Sequence, residues 1–365
     1  MNAVEFRDIG KTYQSRRVLE SISFVIRPET FTVLFGPPGC GKTIVLRLLT
    51  GFEEPTEGLI MIRGEDVTKV TPAQRNIGYV PQSFALYPHY RVYDNIAYPL
   101  RLMGTSKPES DREVRRVAEM LHIDHLLQKK PDQLSGGEKQ RVALARGIAK
   151  RTDIYAFDDP LSGLDYKLRE QLFDDLRKLQ EELRATFVYT TSDPLEAMMM
   201  AAELVVLDAG HVIETGQLEE VYAMPKHVRT MALLGFPQTN LLKGVLESRG
   251  TEIWCLTPLF DFPVQLTAPA TAGQNVAVTI RPQDLVVNPE EMSGSAEFHA
   301  KIVLREDLGG ELVLYLDACG LQILSVIRHD DAHLIADENV NVAVMRESIV
   351  VYSPELGQSI GRGAV

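Results

Sequence analysis

Cysteine, tryptophan and long apolar runs are scarce in this sequence of 365 residues. Its three cysteines, Cys40, Cys255 and Cys319, stand too far apart for a disulfide framework or a zinc-ligand spacing. No stretch approaches the ~18 consecutive apolar residues of a membrane span. The opening MNAVEFRDIGKTY also lacks the apolar centre of an export signal. Basic charge is short as well: 38 Lys+Arg face 50 Asp+Glu, a formal net charge of −12. A nucleic-acid binder needs a basic face to displace counterions from phosphates, and nothing global provides one. These absences predict a soluble, reduced, cytosolic protein with no nucleic-acid partner.

What is present is ordinary globular material, with 45% hydrophobic and 24% charged residues. The length suits two domains. From Phe236 onward 8 Lys+Arg meet 17 Asp+Glu, net −9, and the first 235 residues carry 30 against 33, net −3. The texture changes at the same place. Before it, Ala3–Phe6 and Leu19–Arg27 alternate like strands, and Phe31–Phe35 is a short apolar run. Thr43–Leu49 and Tyr166–Arg184 have helical spacing, Lys107–Leu127 reads as an exposed helix, and Asp153–Asp158 and Thr186–Thr190 read as buried strands. Strands alternating with helices predict an α/β sheet. After about Gly235, short β-type runs (Val276–Arg281, Lys301–Arg305, Leu312–Leu316, Leu321–Ile327, Asn341–Met345) are divided by Gly, Pro, Asn and Asp, which predicts a small sandwich or barrel.

Gly36-Pro37-Pro38-Gly39-Cys40-Gly41-Lys42-Thr43 matches the phosphate-binding P-loop in its required setting of strand, glycine-rich turn and helix. The glycines bring backbone N–H groups close to phosphate; Lys42 is expected to reach the β- and γ-phosphates of ATP and Thr43 to hold Mg²⁺. Pro38 removes one loop donor, and the Cys40 thiol is expected to be incidental. Downstream come Leu134-Ser135-Gly136-Gly137-Glu138-Lys139-Gln140-Arg141, then Asp158-Asp159-Pro160 and Ser162-Gly163-Leu164-Asp165. In this order the set resembles the ATP-binding-cassette (ABC) ATPases across the first 235 residues. The fold implied is an α/β P-loop NTPase cassette with a RecA-like core and a helical subdomain at about 84–150.

The resemblance implies the remaining roles. Ser135, Gly136, Gly137 and Glu138 form the signature motif, whose helix N-terminus faces the γ-phosphate held by a second cassette. Asp165 lies in the loop that meets that cassette. Tyr13 corresponds to the aromatic residue stacked on adenine, and a plain strand-end tyrosine is the alternative. Gln82 corresponds to the glutamine that touches Mg²⁺ and attacking water, and Asp158 to the carboxylate supporting Mg²⁺. Phe84–His89 lies where importers dock a helix of the transmembrane permease. Met198–Met200 are expected to be core packing.

Two positions depart from the family pattern. The catalytic glutamate after Asp158 is replaced by Asp159, one methylene shorter, and the histidine after Thr191 by Ser192, which carries no charge at neutral pH. A displacement near 1 Å can cost about a hundredfold in rate. Both changes fall in one composite site and imply weak hydrolysis there, whereas the signature motif that completes a partner's site is intact. A heterodimer with a competent ATPase is therefore favoured over a slow homodimer.

Val221–Pro225 and Leu234–Leu242 resemble the join to the regulatory domain of sugar-type importers. Thr279–Leu285 and Asp307-Leu308-Gly309-Gly310 resemble elements within that domain, with Gln283 in place of a glutamate. The resemblance implies a small all-β OB-like barrel over 236–365 that packs on its dimer mate. Arg281 is expected in a structural salt bridge rather than on an anionic effector. The function implied is the energy-coupling ATPase of an importer for sugars, polyols or glycerol phosphate. Such a chain works at the inner face of the membrane with permease subunits and, indirectly, a solute-binding protein. The alternatives are a polyamine, iron or other small-solute importer, a regulatory cassette subunit with little ATPase activity, and a non-transport cassette acting on nucleic acid. The last usually has double cassettes or basic insertions, and neither is present.

Overall fold

The computed structural model describes residues 1–164, 166–289, 292–328 and 336–364. Asp165, singled out above, lies outside the described residues. By its internal contacts the chain divides into two compact units, Met1–Leu218 and Glu219–Val365.

The first unit is built on a six-stranded sheet in the order His211–Gln217, Glu203–Asp208, Phe31–Phe35, Thr186–Thr191, Ile154–Asp158, Gly78–Val80. All neighbours are parallel except the outer His211–Gln217 pairing. Phe31–Phe35, Ile154–Asp158 and Thr186–Thr191 are buried along their whole length, the mark of parallel strands covered on both faces. The helix Lys42–Thr50 follows the central strand. Its Val45, Leu46, Leu48 and Leu49 share one core with the central sheet and with Phe6, Ile9, Leu19 and Ile22 of an antiparallel sheet formed by Val4–Tyr13, Arg16–Ile26, Glu57–Ile62 and Glu65–Asp66. Buried Arg75 donates to the carbonyls of Leu48 (2.5 Å) and Leu49 (2.9 Å), satisfying acceptors that a helix end leaves open. The phosphate-loop helix is thus gripped on its sides and at its far end.

Helices Val92–Leu102, Lys107–Met120 and Gly136–Ala149 occupy the region expected for the helical subdomain. Of the methionine run, only Met200 is buried; Met199 is 37% exposed, because the helix Pro194–Met200 turns one side outward.

In the second unit a closed six-stranded barrel runs through Asn240–Arg249, Glu252–Leu256, Asp261–Leu266, Ser359–Gly363, Val350–Tyr352 and Asn275–Ile280. A five-stranded sheet, Leu285–Val287, Asn339–Met345, Ser295–Asp307, Glu311–Ala318 and Leu321–Arg328, shares its core. The barrel expected from sequence is present and this sheet is an addition to it. Asp307 Oδ1 accepts from the Gly309 N–H at 2.7 Å and Gly309 has φ of 95°, so the Asp307–Gly310 segment turns a hairpin.

The sequence texture places the join near 235, whereas the compact units meet at Leu218/Glu219. Residues 219–235 go with the second unit because Met231 packs on Val350 and Tyr352 and the Tyr352 hydroxyl donates to the Pro225 carbonyl at 2.9 Å. Arg281 differs from its expected role: its guanidinium lies 3.8 Å from the centre of the Tyr222 ring and donates to the Tyr222 carbonyl. Its direct partners are an aromatic face and a carbonyl of the 219–235 segment, and its charge also acts on the Asp284 carboxyl.

Candidate functional site

The chain between the strand Phe31–Phe35 and the helix Lys42–Thr50 forms a tight loop, closed by Cys40 N–H donating to the Pro37 carbonyl (3.3 Å). A Cβ at Gly36 would lie 2.0 Å from the Leu207 carbonyl oxygen, so only glycine fits against the neighbouring strand. Gly41 caps the helix with φ of 112°, a conformation that L side chains avoid. Gly39, between them, has φ of 80°. Cys40 is buried among the core residues, and burial pushes its thiol pKa up, so it stays a neutral packing group.

Lys42 is buried with its Nζ inside the loop. It donates to the carbonyls of Gly36 (2.6 Å) and Pro37 (3.0 Å) and to Ser192 Oγ (3.0 Å). A buried ammonium whose oxygen partners are all neutral is able to pair with an anion. One residue on, Thr43 Oγ1 donates to Asp158 Oδ1 at 2.9 Å. Thr190 Oγ1 donates to the same oxygen at 3.1 Å, and the Tyr79 hydroxyl to Oδ2 at 3.3 Å. Burial and the Asp158 charge push the Tyr79 phenol up to about 12, so it is a donor at neutral pH.

Asp159 follows with φ of 45°, a left-handed conformation that aspartate tolerates better than most residues. Its N–H donates to Thr190 Oγ1 at 2.9 Å and its Oδ2 accepts from Gln82 Nε2 at 3.1 Å. Burial raises the Asp159 pKa above the usual carboxylate value, with Lys42 opposing and Asp158 reinforcing the shift. The parallel register Phe35↔Thr191 and Asp158↔Thr190 brings the ends of three strands together, so Lys42, Thr43, Asp158, Asp159, Ser192 and, through Asp159, Gln82 form one site. Carboxyl ends of parallel strands are where ligands of open α/β sheets bind.

Tyr13 ends the strand Val4–Tyr13 with a ring 40% exposed. Its hydroxyl is bonded to Glu53, which also pairs with Lys11 (3.4 Å) and with Arg47 of the loop helix (3.3 Å). Burial and Glu53 push this phenol up to about 12. The hydroxyl is thereby tied near the helix, and Lys11 Nζ lies over the ring, 4.9 Å from its centre.

The signature segment opens the helix Gly136–Ala149 with a capping box. Ser135 Oγ accepts from the Glu138 N–H (3.3 Å) and Glu138 Oε2 accepts from the Ser135 N–H (2.7 Å). That backbone donor holds the Glu138 carboxyl below its usual range. Helix geometry gives the Gly136 and Gly137 N–H groups no intrahelical acceptor, which leaves them available to an anion.

The ABC transporter family model matches residues 19–162 and the TOBE domain model matches residues 270–351. An uncharacterized ABC transporter ATP-binding protein of Bacillus subtilis, YurJ, is 32% identical over 99% of this chain and 100% of its own length. The chain belongs to the ATP-binding subunits of ABC transporters. The trehalose/maltose import ATP-binding protein MalK of Thermococcus litoralis is 34% identical over 99% of this chain and 100% of its own. The sn-glycerol-3-phosphate import ATP-binding protein UgpC of Rhodopseudomonas palustris is 40% identical over 86% of this chain and 84% of its own. Among solved structures, the ATP-binding cassette MJ0796, dimeric and bound to ADP and Pi in a post-hydrolysis state, superposes with a TM-score of 0.55 at 29% identity. The match covers 59% of this chain and 98% of that one. The chain is thus a transport ATPase with an ABC cassette and a C-terminal TOBE domain. Among the described residues no helix is long and apolar enough to cross a membrane.

Three members of the site carry no motif of their own. Tyr79 and Thr190 hold Asp158 from neighbouring strands. Arg169 joins Asp193 (2.8 Å), Glu196 (3.6 Å) and the Leu164 carbonyl (3.3 Å) behind Ser192. Their signal is tertiary; register on adjacent strands is the only feature that points to the first two.

Proposed function

We propose that this chain is the ATP-binding, energy-coupling subunit of an importer for a sugar, polyol or glycerol phosphate. It docks on transmembrane permease subunits at the inner face of the membrane and is linked only indirectly, through them, to a solute-binding protein. The support is similarity over nearly the full length to relatives named for maltose, trehalose and sn-glycerol-3-phosphate import.

Gly36, Gly39, Cys40 and Gly41 supply the backbone of the phosphate cradle, Lys42 its charge and Tyr13 the adenine platform. Thr43 and Asp158 would support Mg²⁺, with Gln82 at its edge. Among the described residues no three His, Cys, Asp or Glu side chains gather into a metal cage, which suits an ion resting mainly on phosphate oxygens. Bound Mg²⁺ would spread the charge of those oxygens. Ser135, Gly136, Gly137 and Glu138, with Asp165, serve the ATP bound by a second cassette.

The single observation behind a weak site is Ser192 against Lys42 at 3.0 Å. The residue in the family's histidine position sits beside the phosphate-binding cation but ends in a short neutral hydroxyl, and Asp159 beside it is one methylene short. We assign the chain to a heteromeric pair, in which it binds ATP, turns it over slowly and completes the site of a competent second ATPase.

Coexpression with the neighbouring permease and ATPase genes tests this reading. A complex containing both ATPases, and loss of sugar, polyol or glycerol phosphate uptake when this gene is deleted, are expected. A complex holding two copies of this chain, or uptake defects confined to polyamines or iron, contradicts it.

A further inference from the structure

Asp158 is held by three hydroxyls, but not on one oxygen. Thr43 (2.9 Å) and Thr190 (3.1 Å) both donate to Oδ1, and Tyr79 donates to Oδ2 at 3.3 Å. Rotation about the Cβ–Cγ bond moves both oxygens, so every donor resists it, and the Tyr79 hydroxyl does so from the side opposite Thr43 and Thr190. The donor on the second oxygen fixes the carboxylate plane.

The consequence rests on the reading of Asp158 and Thr43 as the magnesium-supporting pair. Thr43 is the hydroxyl that would turn to a bound ion. Asp158 then keeps Thr190 on one oxygen and Tyr79 on the other, a two-point grip supplied by its two neighbouring strands. We propose that Tyr79 is a positioning residue for magnesium binding: its hydroxyl orients the Asp158 carboxylate toward the ion without touching the ion itself.

The surroundings of Tyr79 suit that task. The residue lies on the short strand Gly78–Val80, paired in register with Ile154–Asp158 (Tyr79↔Ala156, Val80↔Phe157). Its ring packs on the core that contains the loop helix and meets Phe52 edge-on, with centroids 5.2 Å apart. Packing therefore fixes the ring, and the hydroxyl is the only polar group it carries to the site. Outer partners of a metal-supporting carboxylate set its orientation and with it the affinity for the ion.

The test is the Mg²⁺ dependence of nucleotide binding by the full chain. A fluorescent trinitrophenyl-ATP probe is titrated with Mg²⁺ and, separately, in excess EDTA, for the wild type, Tyr79→Phe and Asp158→Asn. Phenylalanine keeps the ring and its contact with Phe52. The expected result for Tyr79→Phe is a half-saturating Mg²⁺ concentration raised roughly three- to tenfold. Affinity for the probe in EDTA should be unchanged, which also shows that the site is folded. An unaltered Mg²⁺ curve in Tyr79→Phe, alongside a shifted one in Asp158→Asn, overturns the role of Tyr79 and leaves the reading of Asp158 standing. Equal weakening with and without Mg²⁺ also overturns it, because the tyrosine then acts only by packing. An unaltered curve in Asp158→Asn removes the magnesium reading of Asp158, and the inference falls with it.

Discussion

Lys42 Nζ donates to Ser192 Oγ at 3.0 Å, joining the phosphate loop to the end of the strand Thr186–Thr191 across 150 residues of sequence. The two residues do different work. Lys42 is the buried cation of the loop, whereas Ser192 supplies one of the three neutral oxygens to which it donates. Lys42→Ala should weaken ATP binding at least tenfold, on the scale of losing a charge-assisted bond. Ser192→Ala should change both affinity and turnover by less than about twofold, because two carbonyls still hold the lysine. Equilibrium binding of the two variants checks this, and a Ser192→Ala defect as large as that of Lys42→Ala would refute it.

The raised pKa of Asp159 gives the stability of the folded chain a definite pH dependence. The folded chain keeps this proton to a higher pH than the unfolded chain does. Stability therefore falls as pH climbs from the ordinary carboxylate range through the raised value. Asp159→Asn removes that loss. The variant should melt above the wild type at neutral pH, and the difference should shrink at pH values below the ordinary carboxylate range. Thermal melts across that range decide it; an asparagine variant no more stable at neutral pH counts against the burial argument.

Arg169 serves the buried carboxylate of Glu196 and the helix-capping carboxylate of Asp193, which accepts from the Leu195 N–H at 2.8 Å. Removing its charge in Arg169→Met leaves Glu196 without its cation. Glu196 is buried but Arg169 is 26% exposed and 3.6 Å away, and Tyr189 and Thr191 still donate to the carboxylate, so the expected cost is about 1–2 kcal/mol. Urea unfolding should show that loss, and adding Glu196→Gln should recover part of it. Full stability in the single variant would show that solvent already carries the charge.

Ser135 is tested in two ways by one substitution. Ser135→Ala breaks the capping box and should cost about 1 kcal/mol of stability. In a mixed complex the same variant should slow ATP turnover by far more than that loss explains, if, as proposed, this serine completes the partner's site. A turnover change no larger than the change in folded fraction would place the residue in helix capping alone.

The phosphate loop was legible because its chemistry is local: eight consecutive residues between an apolar run and a helical one define strand, turn and helix. Asp158 and Asp159 were legible for the same reason, as carboxylates ending a buried strand. Tyr79, Thr190 and Arg169 were not, because each acquires its role only when the strands align side by side, and no spacing along the chain encodes that register. The second unit followed the same rule. Its strands were visible as separate β-type runs, but their division between a closed barrel and an added five-stranded sheet depends on pairings such as Ser295–Asp307 with Asn339–Met345. Residues 219–235 carry no change of texture in the sequence, and their place in the second unit comes from Met231 and Pro225 meeting the strand Val350–Tyr352.

The most direct measurement is ATP turnover by the purified chain, alone, with its neighbouring cassette, and as the double variant Asp159→Glu/Ser192→His. ATP binding with slow turnover alone, turnover restored by the partner, and a gain of roughly tenfold or more in the double variant are expected. Rapid hydrolysis by the unmodified chain alone, with no gain from the double variant, contradicts the weak-site reading.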